Sequence, residues 1–133
     1  MSKWVEELYD DTFEEVLASN ELVFVDFYAD WCGPCKAVAP VVERLAKEYA
    51  GRVTFGKLNT DGNQETARRL RISSIPALML FRDGKLATRT GGYQSDAQLR
   101  AHIDRYAPRP TDDVVGEPAR ASAGLLSRLF GRS

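Results

Sequence analysis

The two cysteines of this 133-residue chain lie close together, at Cys32 and Cys35, with Gly33 and Pro34 between them. A spacing of three residues in a first helical turn puts both sulfur atoms on one side, close enough for a short-loop disulfide. Two cysteines are too few for the disulfide scaffold of a small secreted protein. The spacing therefore predicts a redox-active dithiol.

The two sulfur atoms are expected to have different roles. Cys32 lies just before a helix predicted over 34–49, where the positive end of the helix dipole and free backbone N–H groups favour its thiolate. We predict that Cys32 attacks the disulfide of a partner. Cys35, inside the first turn and expected to be more enclosed, then attacks the mixed disulfide and releases the partner's thiol.

Half of a zinc site is the alternative interpretation of a Cys-x-x-Cys pair. A structural zinc ion needs four ligands, and the chain has no second cysteine pair. The single histidine, His102, falls in a predicted helix and is expected at the surface. We therefore expect no metal.

The elements that position the dithiol alternate along the chain. Short apolar runs, too continuous for amphipathic helices, predict buried strands at 22–28, 53–58 and 77–81. Apolar spacings of three and four residues and capping residues predict helices, namely one starting near Phe13 and capped by Asp10 or Asp11, 34–49, 63–70, and one capped by Ser95 that runs to Tyr106.

Two further strands complete the predicted sheet. One leads the chain at 3–8, and the other, at 86–90, is joined to the strand 77–81 by the turn residues 82–85, which predict a hairpin. The pattern indicates a mixed sheet between helices, an α/β fold.

One charged residue interrupts a predicted buried strand. Asp26 has apolar neighbours on both sides, and burial raises the pKa of a carboxyl group so that it exchanges protons near neutrality. The structural alternative is a buried ion pair with Lys57 on the adjacent predicted strand, and both interpretations are compatible.

The residues around the dithiol resemble those of the thioredoxin family. Residues 30–36 read DWCGPCK and follow VDF at 25–27. The resemblance covers residues 4 to 106 and continues through Pro40, Lys57-Leu58-Asn59, Asp61, Ile75-Pro76, Phe81, Asp83-Gly84 and Gly92. It implies the thioredoxin fold, a mixed sheet of four or five strands with helices on both faces.

The resemblance also implies roles for individual residues. The family uses the residue matching Asp26 to help deprotonate the Cys35 position, and it pairs this residue with the one matching Lys57. Ile75-Pro76 resembles the family's cis-proline loop, although an ordinary proline at a strand start is the alternative. A shallow apolar patch for an extended peptide is then expected from Trp31, Ile75, Pro76, Gly92 and Tyr93.

Several positions depart from the family's common pattern and leave the substrate preference open. The departures are Tyr28, where tryptophan is usual, Ser73-Ser74 before Ile75, and Gly91 and Tyr93 around Gly92. For Trp31, the alternative to a place in the apolar patch is a position in the hydrophobic core.

By resemblance, the chain is expected to reduce disulfides of protein substrates without a bound cofactor. Electrons would come from NADPH through thioredoxin reductase, and Gly33 and Pro34 resemble the residues that tune reducing members of the family. A disulfide oxidase or isomerase is a second hypothesis. A docking module with incidental redox activity is the third.

Composition and the first residues indicate which partners and which location to expect. Eighteen basic and 19 acidic residues give a net charge of −1, which supplies no field for nucleic acid. No apolar run approaches the roughly 20 residues of a spanning helix. The first residues lack the pattern of a secretory signal, so we expect a cytoplasmic location, and we also expect a monomer.

Composition also divides the chain into a thioredoxin domain at 1–106, a flexible Pro-rich linker at 107–118 and a short tail at 119–133. The tail is amphipathic and cationic if helical, and it is too short to be stable alone. We expect it to bind a protein partner. The alternatives are packing on its own domain, an extension without function, or weak contact with an anionic membrane.

Overall fold

The computed structural model describes residues 2–107, so the predicted tail at 119–133 and the linker beyond Ala107 lie outside the described residues. A compact unit that ends at Ile103 holds all five strands of this part of the chain, and a second unit begins at Asp104. The elements are, in order, β1 (Val5–Leu8), α1 (Phe13–Ser19), β2 (Leu22–Tyr28), α2 (Gly33–Glu48), β3 (Thr54–Asn59), α3 (Gln64–Arg69), β4 (Ala77–Arg82), β5 (Lys85–Gly91) and α4 (Asp96–Asp104).

The five strands form one mixed sheet in the order β1-β3-β2-β4-β5. Strands β1 and β2 both run parallel to β3, whereas β4 is antiparallel to β2 and to β5. β2 is therefore central and is buried from Leu22 to Phe27, which explains its nearly continuous apolar sequence. The predicted mixed α/β sheet is confirmed.

The two faces of β2 contact different helices. Val23, Val25 and Phe27 belong to a core cluster that includes Phe13 of α1. Because side chains alternate along a strand, Phe24 and Asp26 point to the opposite face. There the Phe24 ring lies 5.0 Å from that of Phe55, which also stacks on Tyr49 at the end of α2, so Asp26 shares the α2 side of the sheet.

Two local predictions are confirmed. The β4–β5 turn places Asp83 and Gly84 at φ values of 52° and 82°, as a two-residue hairpin turn requires. Ser95 caps α4, because its Oγ accepts from the backbone N of Gln98 at 3.2 Å while Gln98 Oε1 accepts from the Ser95 N at 2.9 Å. This helix ends at Asp104, earlier than predicted.

The predicted cap of α1 by Asp10 or Asp11 is wrong. α1 begins after Thr12 without a side-chain cap, and Asp10 instead accepts from the backbone N–H groups of Glu65 at 3.3 Å and Thr66 at 2.9 Å. The fold brings Asp10 beside the start of α3, where unpaired N–H groups need acceptors. Asp10 therefore caps a helix that begins more than 50 residues away in sequence.

We expect Asp10→Ala to lower the free energy of unfolding by about 1 kcal/mol, because it removes the acceptor of two N–H groups at the start of α3. Asp11→Ala is the matched control, since Asp11 is exposed. Urea unfolding of both variants measures the difference. Equal destabilisation by the two changes would contradict the cap.

Candidate active site

Cys32 and Cys35 form a disulfide at the junction between β2 and α2. Cys32 is the N-cap residue of α2, with extended backbone angles, and Pro34 occupies the first turn, where its missing N–H costs nothing. The two Cα atoms are 5.2 Å apart, within the usual range for a disulfide. The predicted position of the dithiol at a helix N-terminus is found in the structure.

The backbone at this helix start favours negative charge on Cys32. The N–H of Cys35 donates to Cys32 Sγ at 3.1 Å, and the free N–H groups of the first turn carry the positive end of the helix dipole. When the disulfide is reduced, both contributions lower the free energy of the Cys32 thiolate.

The exposed fraction of the two cysteines does not separate their roles, since Cys32 is 4% exposed and Cys35 is 3% exposed. Their neighbours differ instead. Cys32 Sγ lies 3.7 Å from the carbonyl oxygen of Ile75. Cys35 lines a cavity that also contains Asp26. The expectation that Cys35 is clearly more enclosed than Cys32 is therefore not met, and the two cysteines differ in their contacts instead.

The cavity beneath Cys35 has a volume of about 180 Å³. This volume is large enough for water molecules, and polar groups line it. The lining residues are Asp26, Tyr28, Ala29, Asp30, Cys35, Lys36, Ala39 and Lys57. The Asp26 carboxyl group and the Cys35 side chain thus share one space.

Asp26 is buried, and its hydrogen-bonding capacity is not fully used. It is 4% exposed, and within the described part of the chain its Oδ1 atom has no hydrogen-bond partner. Burial raises the pKa of Asp26 to about 7; the positive charge of Lys57 acts against this shift, and the negative charge of Glu7 adds to it. Asp26 is therefore poised to exchange a proton at neutral pH.

Lys57 does not form the predicted ion pair with Asp26. In the strand register Lys57 is opposite Asp26 on β2 and opposite Glu7 on β1. Its Nζ lies 3.9 Å from Glu7 Oε1, so the ammonium group is directed towards the partly exposed Glu7 carboxylate rather than towards the buried Asp26. The positive charge of Lys57 therefore acts on Asp26 from beyond ion-pair distance.

Three residues predicted to bind substrate lie together beside the dithiol. The Ile75-Pro76 peptide bond is cis. The carbonyl oxygen of Pro76 accepts from the N–H of Gly92 at 2.9 Å, which ties the start of β4 to the segment after β5. Gly92 has a φ of 74°, a value that glycine adopts without strain. With Ile75 next to Cys32, these residues form one loop cluster.

The two aromatic residues predicted for the patch are both exposed. Trp31 is 70% exposed, which excludes the alternative of a core position, and its Nε1 donates to Asp61 Oδ2 at 2.8 Å. Tyr93 follows Gly92 and is also exposed. Asp61 was part of the sequence resemblance, but nothing in the sequence indicated that it holds Trp31.

Glu7 is the site residue that the sequence did not reveal, since a glutamate in a short edge strand is usually solvated.

Within residues 2–107 no group of three or more His, Cys, Asp or Glu side chains is arranged to hold a metal ion. In the same residues no helix has both the length and the apolar character needed to cross a membrane.

The pKa of Asp26 predicts a pH-dependent stability. Between its ordinary pKa of 3.8 and about 7, the unfolded chain releases this proton while the folded protein retains it, so stability falls as the pH rises through this window. The accumulated loss is about 4 kcal/mol. Asp26→Asn should therefore stabilise the oxidised protein more at about pH 8 than at about pH 4, by this order of magnitude, in urea unfolding.

A constant difference between wild type and Asp26→Asn at the two pH values would contradict the raised pKa. The comparison between pH values removes the contributions of packing and of the new amide group, because neither depends on pH.

Comparisons with known proteins agree with this geometry. The Thioredoxin family model matches residues 4–105. The chain is 49% identical over 96 residues to the thioredoxin of Acidithiobacillus ferridurans, a match that covers 71% of this chain and 89% of the relative. It is 42% identical over 105 residues to the thioredoxin of Pseudomonas aeruginosa, covering 78% of this chain and 97% of the relative. The chain therefore belongs to the thioredoxin family of thiol-disulfide oxidoreductases, with the cysteine pair at Cys32 and Cys35.

Proposed function

We propose that the protein reduces disulfide bonds of other proteins through a mixed disulfide with Cys32. The observation that carries this proposal is the placement of Cys32 Sγ at the N-terminus of α2, 3.1 Å from the N–H of Cys35 and beside the Ile75 carbonyl group. A thiolate stabilised in this way is both a nucleophile and a leaving group at neutral pH.

In the first step the Cys32 thiolate attacks one sulfur atom of the partner's disulfide. The partner's S–S bond breaks, a Cys32–partner bond forms, and the partner's other sulfur leaves as a thiolate that takes up a proton. In the second step Cys35 loses its proton and attacks Cys32 Sγ, which displaces the partner's remaining sulfur. Two electrons reach the partner, and the Cys32–Cys35 disulfide remains.

Asp26 is the proposed acceptor of the Cys35 proton. Both groups line the same cavity, and the pKa of Asp26, raised by burial to about 7, matches the pH at which transfer is needed. The cavity has room for a water molecule between them. The released proton returns to the solvent by the same cavity.

The proposed substrate surface surrounds Cys32 and consists of Trp31, Ile75, Pro76, Gly92 and Tyr93. Ile75 presents a backbone carbonyl group beside the sulfur, and the exposed Trp31 ring supplies apolar area that a peptide can cover. An extended segment on either side of the partner's cysteine suits such a surface better than a small molecule does.

The proposal includes thioredoxin reductase and NADPH as the source of electrons, because the protein must be reduced again after each cycle. Gly33 and Pro34 are assigned to tuning the potential towards reduction. It also includes a cytoplasmic location, where thiols are kept reduced, and action as a monomer. A coupled assay with thioredoxin reductase, NADPH and a protein disulfide tests this whole cycle.

Replacing Cys32 and replacing Cys35 should stop reduction at different steps. Cys32→Ser abolishes reduction, because no thiolate remains to attack the partner. Cys35→Ser attacks once and stops as a covalent mixed disulfide, because the second step is lost. Turnover in the coupled assay and intact-mass measurement of the trapped adduct distinguish the two variants. Capture of partner by Cys32→Ser, and none by Cys35→Ser, would reverse the assigned roles.

We also propose that the residues after the thioredoxin domain, the linker 107–118 and the tail 119–133, serve a protein partner rather than the chemistry. The family match ends at residue 105, and the Pseudomonas aeruginosa relative is covered almost completely while part of this chain is left unmatched.

Truncation after Ala107 should leave stability and turnover of an exposed small disulfide unchanged and should weaken the binding of one cellular protein partner. Urea unfolding, the coupled assay and a pull-down that compares full-length with truncated protein measure the three quantities. A loss of stability and turnover would assign the tail to the domain itself.

A further inference from the structure

Three side chains from neighbouring strands form a cluster next to Asp26. The Tyr28 hydroxyl donates to Glu7 Oε2 at 2.9 Å, and Lys57 Nζ lies 3.9 Å from Glu7 Oε1. The same ammonium group lies 5.5 Å from the centre of the Tyr28 ring. Glu7 thus accepts a hydrogen bond through one oxygen and faces a positive charge through the other.

The strand register places this cluster in one row with the buried carboxyl group. Glu7 on β1 is opposite Lys57 on β3, and Lys57 is opposite Asp26 on β2. Residues directly opposite each other point to the same face of a sheet. Lys57 therefore has a carboxyl group on each side, and it contacts the one on β1.

Tyr28 holds Glu7 in place over the whole working pH range. Burial, and then the hydrogen bond to Glu7, raise the pKa of Tyr28 above its ordinary value, so the hydroxyl keeps its proton. Tyr28 occupies a position where the family commonly has tryptophan, whose indole group has no hydroxyl. Tryptophan would offer only an indole N–H at a different position, so this hydroxyl hydrogen bond to Glu7 belongs to this chain's own residues.

We propose that Glu7 is a positioning residue for the second step of disulfide reduction: it holds the Lys57 ammonium group on the β1 side of the row, away from a direct ion pair with Asp26. This inference rests on the proposed function, in which Asp26 accepts the Cys35 proton. A direct ion pair would stabilise the Asp26 carboxylate and make it a weaker base. Glu7 prevents this by competing for Lys57.

Glu7 acts on Asp26 in two ways that have the same sign. It draws the positive charge of Lys57 away, and its own negative charge opposes ionisation of Asp26. Removing the charge of Glu7 should therefore favour the ionised form of Asp26 through both contributions. The first contribution requires Lys57 and the second does not, so an experiment can separate them.

Among the described residues on the strands beside Asp26, the charged side chains in its row are Glu7 and Lys57. On β4 the residue opposite Asp26 is the uncharged Leu78. On the α2 side the cavity contains Cys35, and its rim carries Asp30 and Lys36, which are exposed, opposite in charge and open to screening by solvent. Tyr28 is neutral.

The decisive experiment compares Glu7→Gln with Glu6→Gln in the otherwise unchanged full-length protein. Glu6 is the matched control, because it is the exposed neighbour on the same strand and its register partner is Gly56. One readout is the midpoint of the Asp26 carboxyl titration by carbon NMR. The other is the pH profile of partner release from a preformed mixed disulfide.

Glu7→Gln should lower the Asp26 midpoint by about half a pH unit or more, and the release profile should move to lower pH with it. Glu6→Gln should leave both unchanged. Tyr28→Phe, which removes only the hydrogen bond to Glu7, should produce a smaller shift in the same direction.

Lys57→Met provides the test of positioning. In that background Glu7→Gln should shift the Asp26 midpoint by less than half as much, because only the direct repulsion remains. An unchanged midpoint in Glu7→Gln, or equal shifts with and without Lys57, would overturn the inference. A midpoint that moves while the release profile stays fixed would support the position of Lys57 and contradict the role of Asp26 in the proposed function.

Discussion

The loss of water around the Asp26 carboxyl group is the interaction on which the site depends. A central strand covered on both faces has to be apolar, and a carboxyl group placed in it cannot ionise at its ordinary pH. The cavity under Cys35 puts this carboxyl group in the same space as the Cys35 side chain. The row from Glu7 through Lys57 then adjusts how strongly the proton is held. The pH dependence of stability and the proton affinity of the site therefore depend on the same buried carboxyl group.

The dithiol surface is assembled from segments that meet at one end of the sheet. The segment after β2 contributes Cys32, the segment before β4 contributes Ile75, and the segment after β5 contributes Gly92. A backbone hydrogen bond from Gly92 to Pro76 joins two of them, and the helix start fixes the third. Rigid strands behind these loops hold the sulfur and the surrounding loop residues in fixed positions, which a site built on one long loop would not achieve.

Features governed by near neighbours could be predicted from the sequence, and features governed by distant contacts could not. The apolar run of β2, the Ser95 cap, the hairpin turn and the dithiol at the start of α2 are all local patterns. The cap supplied by Asp10 and the partner of Lys57 depend on which strands and helices become adjacent. The exposure of Trp31 was also open in the sequence, since a tryptophan beside a buried cysteine is compatible with core or surface. Resemblance added the loop at Ile75, which no periodicity indicates.

The near-complete burial of Cys32 has a consequence for the proteins that this enzyme would meet. With 4% of the residue exposed, a partner's disulfide has to come close to the sulfur, beside the loop at Ile75, to be attacked. A disulfide inside a rigid, tightly packed protein cannot present itself in that way until its segment opens. Reduction would then be paced by the opening rate of the client rather than by sulfur chemistry, so loosely folded or damaged clients would be processed first.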